Sequence, residues 1–291
     1  MQAKHAKLAA VCSLVLVLVL LVGCKGTPEQ PAEEAAEQAA VSVEKSVLDE
    51  IRERGKLRMA IYLSSGSPLQ RPNETTAEAE GYLADVGRLM AEDLGVEAEF
   101  VDSEWKSIIP SLLSGKVDLI IAAASATPER ALSVDFAGTI VYYNTGALIH
   151  KDGRIKTLED LDQPGVKIAV NEGTTHHFYA MQKYPNAEII TTNGAVEARL
   201  EVQSQRADAN FSDLNGIIEW TREYPETDIL KDENGKVIIM RREPGSVAIR
   251  QGDPRFYKWL KNWTEWYWEQ GILDAMYDKW MSPIFEGVPM P

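Results

Sequence analysis

Between Leu57 and Ala124 the chain alternates short apolar runs with stretches of helical period, an order that few folds accept. Leu57–Tyr62, Val96–Val101 and Val117–Ala124 have the length and apolar content of buried strands. Between the first two, Leu83, Val86, Leu89, Met90 and Leu94 recur at helical spacing and stop at Gly95. Between the second and third, Trp105–Leu113 reads as another helix, ended by Ser114-Gly115. This alternation predicts parallel βαβ units in a doubly wound α/β sheet. Such sheets take ligands at the C-terminal ends of their strands, where strand order reverses. The loop Leu63–Pro68, Trp105 and Ser125–Arg130 all fall at that end.

The third strand runs into Ser125-Ala126-Thr127-Pro128-Glu129-Arg130. Thr127 suits an N-cap and Pro128 a first helical turn, so a helix start is expected here. A strand meeting a helix N-terminus gathers free N–H groups, a favourable dipole and hydroxyls. Arg130 follows within reach, with a planar fork that matches a carboxylate. The stretch therefore describes a small-anion or carboxylate receptor. A plain helix cap followed by a surface arginine is the competing reading.

A second set of units follows. Val166–Val170 is a strand with Gly173-Thr174-Thr175 beyond it, Glu188–Thr192 a strand, Ala195–Gln205 a helix, and Ala207–Ser212 a strand that ends at Asp213. Ser114-Gly115-Lys116-Val117-Asp118 is echoed by Ser204-Gln205-Arg206-Ala207-Asp208 at the equivalent point. Two similar lobes facing each other are expected. The segments Gly138–Lys151 and Val237–Arg250 are β-prone. Pro254–Gln270 and Ile272–Met281 read as helices, the first crowded with aromatic residues that suit packing between elements.

Lys4, His5 and Lys7 precede an uncharged apolar run, Leu8–Gly23, shorter than the roughly 20 residues a spanning helix needs. It ends Leu21-Val22-Gly23-Cys24, which looks like a bacterial lipobox. The expectation is a leader over 1–23, with Cys24 lipidated and the mature protein exported and membrane-anchored; a plain signal peptide or a short anchor is the alternative. Residues 24–46, rich in Ala, Glu, Gln and Pro, read as a solvated tether, and Val47–Arg54 as a short helix. The cysteines are Cys12 and Cys24, so acylation of the second leaves no thiol for disulfides, catalysis or metal. The formal net charge is -14, which argues against nucleic acid and anionic membrane surfaces as partners.

The run SGKVDLIIAAASATPERALSVDF resembles the signature of the family 3 extracellular solute-binding proteins, the polar amino-acid receptors of ABC importers. Gly55-Lys56-Leu57-Arg58, Gly81-Tyr82, Gly173-Thr174-Thr175, Arg206-Ala207-Asp208-Ala209 with Asp213, Ala248–Pro254 and Tyr277-Asp278-Lys279-Trp280 agree in colinear order. The resemblance covers about Val47–Met281. It implies a type II periplasmic-binding-protein fold: lobe 1 over 47–142 and 246–291, lobe 2 over 143–245, two crossings forming a hinge, and a ligand cleft between. It implies that Arg130, Thr127, Thr174 and Thr175 hold a ligand α-carboxylate. Asp213, Ser125 and the carbonyl of Ala123 take the α-ammonium, and Trp105 covers the side chain. A zwitterion needs one fork of donors and one anion, both stronger in a water-poor cleft. Asp213 has the competing role of a helix N-cap, and Trp105 that of core packing. Glu172 and His176 flank the Gly-Thr-Thr turn, as ligand contacts or as solvated loop residues.

Departures from the family pattern lie at the side-chain end of the site. The usual aromatic loop after the first strand is Ser64-Ser65-Gly66-Ser67-Pro68-Leu69 here, with Tyr62 the aromatic left to rebuild that wall, and the usual glycine of the strand end is Ala123. The resemblance implies a monomeric receptor that passes a small zwitterion or carboxylate to an ABC permease, with no cofactor and no metal. Two rivals stay open. Some relatives are periplasmic cyclohexadienyl dehydratases, for which Glu172 is the one cleft acid the sequence offers; and the same module can serve a separate sensor chain.

Overall fold

The computed structural model describes residues 45–291; the leader, Cys12, Cys24 and nearly all of the tether lie outside the described residues. Ser46 caps α1 (Val47–Arg54) and also donates to Asp253, which caps the helix Pro254–Glu269, so the two helix starts are fastened together. The strand β1 (Lys56–Ile61) leads to a small hairpin, β2 (Arg71–Pro72) and β3 (Ala79–Glu80). Then come α2 (Tyr82–Leu94), β4 (Glu97–Asp102), α3 (Trp105–Leu113) and β5 (Leu119–Ser125). Gly55 and Gly95 end α1 and α2 in the left-handed conformation, as expected of a C-cap.

The expected helix after Thr127 is not there. A turn and one 3-10 turn, Arg130–Leu132, pass directly into the long strand β6 (Val134–His150). Val134 to Val141 pair with the late strand β11 (Arg241–Arg250), and this ladder outcompetes a helix in a stretch rich in β-branched and aromatic residues. The dipole argument for Arg130 therefore falls away, although Thr127 Oγ1 still accepts from the backbone N–H of Arg130 at 3.3 Å.

β7 (Lys167–Asn171), α4 (Thr175–Lys183), β8 (Glu188–Thr192), α5 (Ala195–Gln203), β9 (Ala209–Asp213), α6 (Leu214–Glu223) and β10 (Thr227–Ile229) form the second half. After β11 the chain closes with α7 (Pro254–Glu269) and α8 (Ile272–Phe285). The strands run β4-β1-β5-β11-β6-β9-β7-β8, with β10 also on β6. β1 pairs in parallel with β4 and β5, and β7 with β8 and β9, while β6 and β11 are antiparallel to their neighbours. Each half is a small parallel sheet covered by helices, and the β6–β11 ribbon lies between them. This is the type II periplasmic-binding-protein architecture.

The halves repeat one fastening. Asp118 and Asp208 each accept from the backbone N–H of the neighbouring strand, Arg58 at 2.9 Å and Lys167 at 2.7 Å. Each also pairs with an arginine: Asp118 with Arg58 at 2.8 Å and Asp208 with Arg154 at 2.7 Å. The short sequence echo thus has a physical basis, a carboxylate pinning one strand to the next.

One connection departs from the simple two-crossing plan. Ile284, Phe285, Val288 and Met290, at the end of α8 and beyond, pack on the second half against the cluster of Leu214 and Ile217. Val237 donates to the carbonyl of Pro289 at 2.8 Å, and the Arg222 guanidinium holds the carbonyls of Pro283 and Ile284 at 3.1 and 2.7 Å. The last turn of α8 is thereby capped by the opposite half.

Candidate functional site

A cavity lies between the halves at the C-terminal ends of their strands. About 50 Å³ is open to the centres of water-sized molecules, several times the roughly 10–15 Å³ that one water needs. From the sequence-named residues it gathers Tyr62, Trp105 and Ala123 on one wall and Thr174, Thr175, His176 and Asp213 on the other, so His176 is a buried cavity residue and not a solvated one. Ser125, Thr127, Arg130 and Glu172 stand outside it. Arg130 and Glu172 border a shallower groove on the far side of Trp105, and Glu172 is exposed.

Tyr62 follows β1 and reaches across to the second half. Its hydroxyl accepts from Asn171 Nδ2 and from the Ala195 N–H, each at 3.1 Å, and burial pushes the phenol pKa up to about 12. Trp105, at the start of α3, meets the Tyr62 ring edge-on at 5.8 Å and donates from Nε1 to the Gly173 carbonyl at 3.2 Å. Arg130 lies over the other side of Trp105, 5.3 Å from its centroid, and donates to the carbonyls of Ser125 and Gly173 at 3.1 Å each. Among the described residues no carboxylate comes within ion-pair reach of it, and burial pushes its pKa down against the pull of Tyr143 and Glu243. It is a mostly buried cation held by neutral groups.

Ala123 has φ +54°, a left-handed conformation that a non-glycine residue adopts at a cost of about 1–3 kcal/mol. Gly245 on β11 makes room for it, because a Cβ there would sit 2.8 Å from the Ala123 Cβ. The strained residue lies beside the cavity, at the end of β5 where the register of its ladder with β11 shifts.

On the second half, Thr174 caps α4, accepting from His177 N at 3.2 Å and donating to the Asn171 carbonyl at 2.7 Å. Asp213 occupies the N-cap position of α6, but its side chain makes no capping hydrogen bond. The carboxylate faces the cavity instead, 3.4 Å from His176 Nε2. Burial pushes the Asp213 pKa up, opposed by His176 and Arg199 and reinforced by Glu243.

Sequence reasoning missed several site residues. Glu243 is buried on β11, where Ser125 Oγ donates to it at 2.7 Å and Tyr143 at 3.2 Å. Burial alone pushes its pKa up; the Ser125 and Thr175 hydrogen bonds with the nearby His176 and Arg241 outweigh that and hold the carboxyl below the usual range. Asn210 is wholly buried in β9 and lines the cavity, as does Asn171 at the end of β7. Arg199 is a fully buried arginine on α5. An amide between Ala209 and Phe211 in the expected strand, and a cation on the same helix face as Ala198 and Val202, were the available signals. Among the described residues no cluster of three or more His, Cys, Asp or Glu side chains is arranged to hold a metal.

The fold and this interlobe cavity define a two-half ligand-binding receptor. The chain belongs to the bacterial extracellular solute-binding proteins, family 3, whose model matches residues 61–283. It is 27% identical over 287 residues to the ABC transporter glutamine-binding protein GlnH of Bacillus subtilis (strain 168), covering 96% of this chain and 97% of that one. It is also 27% identical to the putative ABC transporter arginine-binding protein 2 of Escherichia coli (strain K12), over 69% of this chain and 82% of the relative. The cyclohexadienyl dehydratase of Pseudomonas aeruginosa is 24% identical over 84% of this chain and 89% of its own length. Among solved structures, the ancestral amino acid-binding protein AncCDT-1, a precursor of cyclohexadienyl dehydratase, superposes with a TM-score of 0.71 at 34% identity, covering 81% of this chain and 99% of that one. A mutant of ArgBP from T. maritima does so with a TM-score of 0.71 at 28% identity, over 81% and 99%.

Proposed function

We propose that this chain is the substrate-binding lipoprotein of an ABC importer, and that it closes on a small α-amino acid between its halves. The observation that carries the reading is Asp213, a partly buried carboxylate that makes no capping hydrogen bond and lines an interlobe cavity. It suits an ammonium. Arg130 supplies the complementary cation without a carboxylate of its own, and its contact with the Gly173 carbonyl spans the two halves. In this reading an arriving α-carboxylate displaces the carbonyls now held by the fork. Thr127, Thr174, Thr175 and Ser125 supply hydroxyl and backbone groups around it, with the Ala123 carbonyl accepting from the ammonium.

Residues 47–142 with 246–291 form one lobe and 143–245 the other, with the tail after Met281 strapped to the second. Closure is supported by polar contacts across the gap: Tyr62 to Asn171, Trp105 to Gly173, Lys106 to Asn193 at 3.0 Å and Arg71 to Glu219 at 3.0 Å. Relatives with ABC-transporter names support the importer role. No described helix is long and apolar enough to cross a membrane, and the lipobox-like Leu21–Cys24 supports attachment through lipid on Cys24, with the receptor working as a monomer. A thermal-shift screen against amino acids tests the reading: an amino acid at 100 times its dissociation constant adds about 2.7 kcal/mol of stability. No stabilisation by any of them would overturn it.

The dehydratase relative gives a second reading. Glu172, its one sequence-named acid, is exposed outside the cavity and poorly sited to protonate a leaving group there. Incubation with prephenate or arogenate is expected to give no product.

A further inference from the structure

The second-half wall of the cavity carries buried polar atoms that no group among the described residues satisfies. Asn210 and Ser212 lie two apart on β9, so their side chains share a face. Asn171 shares that face, because Ala169, two residues before it, pairs with Asn210. Asn210 is 0% exposed; its Nδ2 donates to the Ala169 carbonyl at 2.9 Å, which fixes the amide so that Oδ1 is the free end. That oxygen has no hydrogen-bond partner among the described residues, and neither has the buried Oδ1 of Asn171. An orphaned buried acceptor is destabilising, so two on one cavity wall describe a place where a ligand brings donors.

A charge stands behind that wall. The Arg199 guanidinium is 1% exposed and has no carboxylate within ion-pair reach among the described residues. It donates to Ser212 Oγ at 3.3 Å and weakly to the Gly66 carbonyl at 3.5 Å, and its Nε is unpartnered. Gly216 makes this burial possible, since a Cβ there would lie 2.4 Å from Nη2. Ser212 lines the cavity, so a positive charge lies one hydroxyl behind its surface. An ammonium or guanidinium brought to the asparagine oxygens would meet that charge in a medium that screens it poorly.

We infer that this wall is the side-chain subsite, and that it selects a neutral N–H-donating group, the primary carboxamide of glutamine or asparagine, over a cationic side chain. The carboxamide NH2 gives its hydrogens to Asn171 and Asn210, and its oxygen tolerates the positive side of the wall. An anionic side chain would set its oxygens against two amide oxygens. This rests on the amino-acid reading above and gives that reading its ligand class.

The test is calorimetric titration of the parent protein with L-glutamine, L-asparagine, L-arginine, L-lysine, L-glutamate and L-alanine. A carboxamide amino acid is expected to bind at least about tenfold tighter than every other member of the set, since a site built around polar partners rejects analogues that leave them unpaired. Arginine, lysine or glutamate binding as tightly as the better carboxamide overturns the subsite while leaving the amino-acid reading intact. Binding by none of the six overturns the subsite, and a screen of the remaining amino acids that also finds no ligand overturns the reading beneath it. Two variants apportion the effect. Asn210→Leu should cost the carboxamide ligand about tenfold and leave L-alanine unchanged. Arg199→Met should narrow the gap between glutamine and arginine. If the parent prefers a carboxamide but folded Asn210→Leu keeps that preference, the wall is not its source and the inference fails.

Discussion

Arg130 and Trp105 form one stacked unit, with the guanidinium carbon 5.3 Å from the ring centroid, and both donate to the same carbonyl, that of Gly173 in the opposite half. The pair joins the face of the cavity to the groove behind it. A ligand bound by Arg130 in the proposed way would therefore also meet the indole that lines the cavity.

Arg130→Ala should weaken amino-acid binding by about 30-fold or more with the fold intact, because loss of a desolvated charged partner typically costs about 2–5 kcal/mol. Arg130→Lys should bind poorly too, since an ammonium cannot reproduce the fork. Titration calorimetry on each variant checks this, and an Ala variant within threefold of the parent would remove Arg130 from the site.

Asp213→Asn should separate binding from stability. Burial raises the Asp213 pKa, so its contribution to stability is fullest when protonated, at acid pH, and is lost as pH rises through the elevated value. Ammonium binding needs the carboxylate and runs the other way, weakening as pH falls through that value. The Asn variant should bind about 30-fold more weakly at neutral pH while its ligand-free melting temperature does not fall. A pH series of titrations and melts on both proteins reads the two signs.

Tyr62→Phe keeps the ring against Trp105 but strands the Asn171 amide and the Ala195 N–H. At roughly 1 kcal/mol per bond, affinity should drop by about ten- to thirty-fold. Equal affinities would mean that the bridge forms no part of the bound state.

Ile284→Ala tests the tail. This side chain is buried in the second half, and its truncation should cost about 2–4 kcal/mol. Chemical denaturation measures it; a loss below about 0.5 kcal/mol would show that the strap is dispensable.

Cys24→Ser should release the protein from membranes or block its processing. Mass spectrometry of the mature chain is expected to find a lipid-modified Cys24 at its start, and an unmodified N-terminus elsewhere would rule the anchor out.

The architecture was legible because it rests on period and punctuation. Gly95 ended a helix where its left-handed φ allowed, and Asp118 and Asp208 marked matching points because each pins a strand pair. The helix expected at Thr127-Pro128 failed because both residues are also good turn residues, and the β-prone Val134–Val141 that follows finds a partner in β11, which is distant in sequence. In the site, residues next to glycines and caps could be named in advance. Asn210, Arg199 and Glu243 could not, because their meaning depends on burial: each is ordinary on a surface and consequential only once water is gone. Asp213 was readable as a cap or as an anion, and only the unused capping geometry separates the two.

The β6–β11 ribbon lies between the two halves, paired from Arg250 and Val134 through to Arg241 and Thr145. If the halves close on a ligand as proposed, their rotation would be taken up as twist along a hydrogen-bonded ladder, which bends like a leaf spring rather than turning like a pin joint. Tyr142 stands on that ladder with its ring exposed and Arg242 4.7 Å above it. An environment-sensitive dye placed at this position would convert occupancy of the distant cavity into an optical signal, and so turn the receptor into a sensor for its own solute.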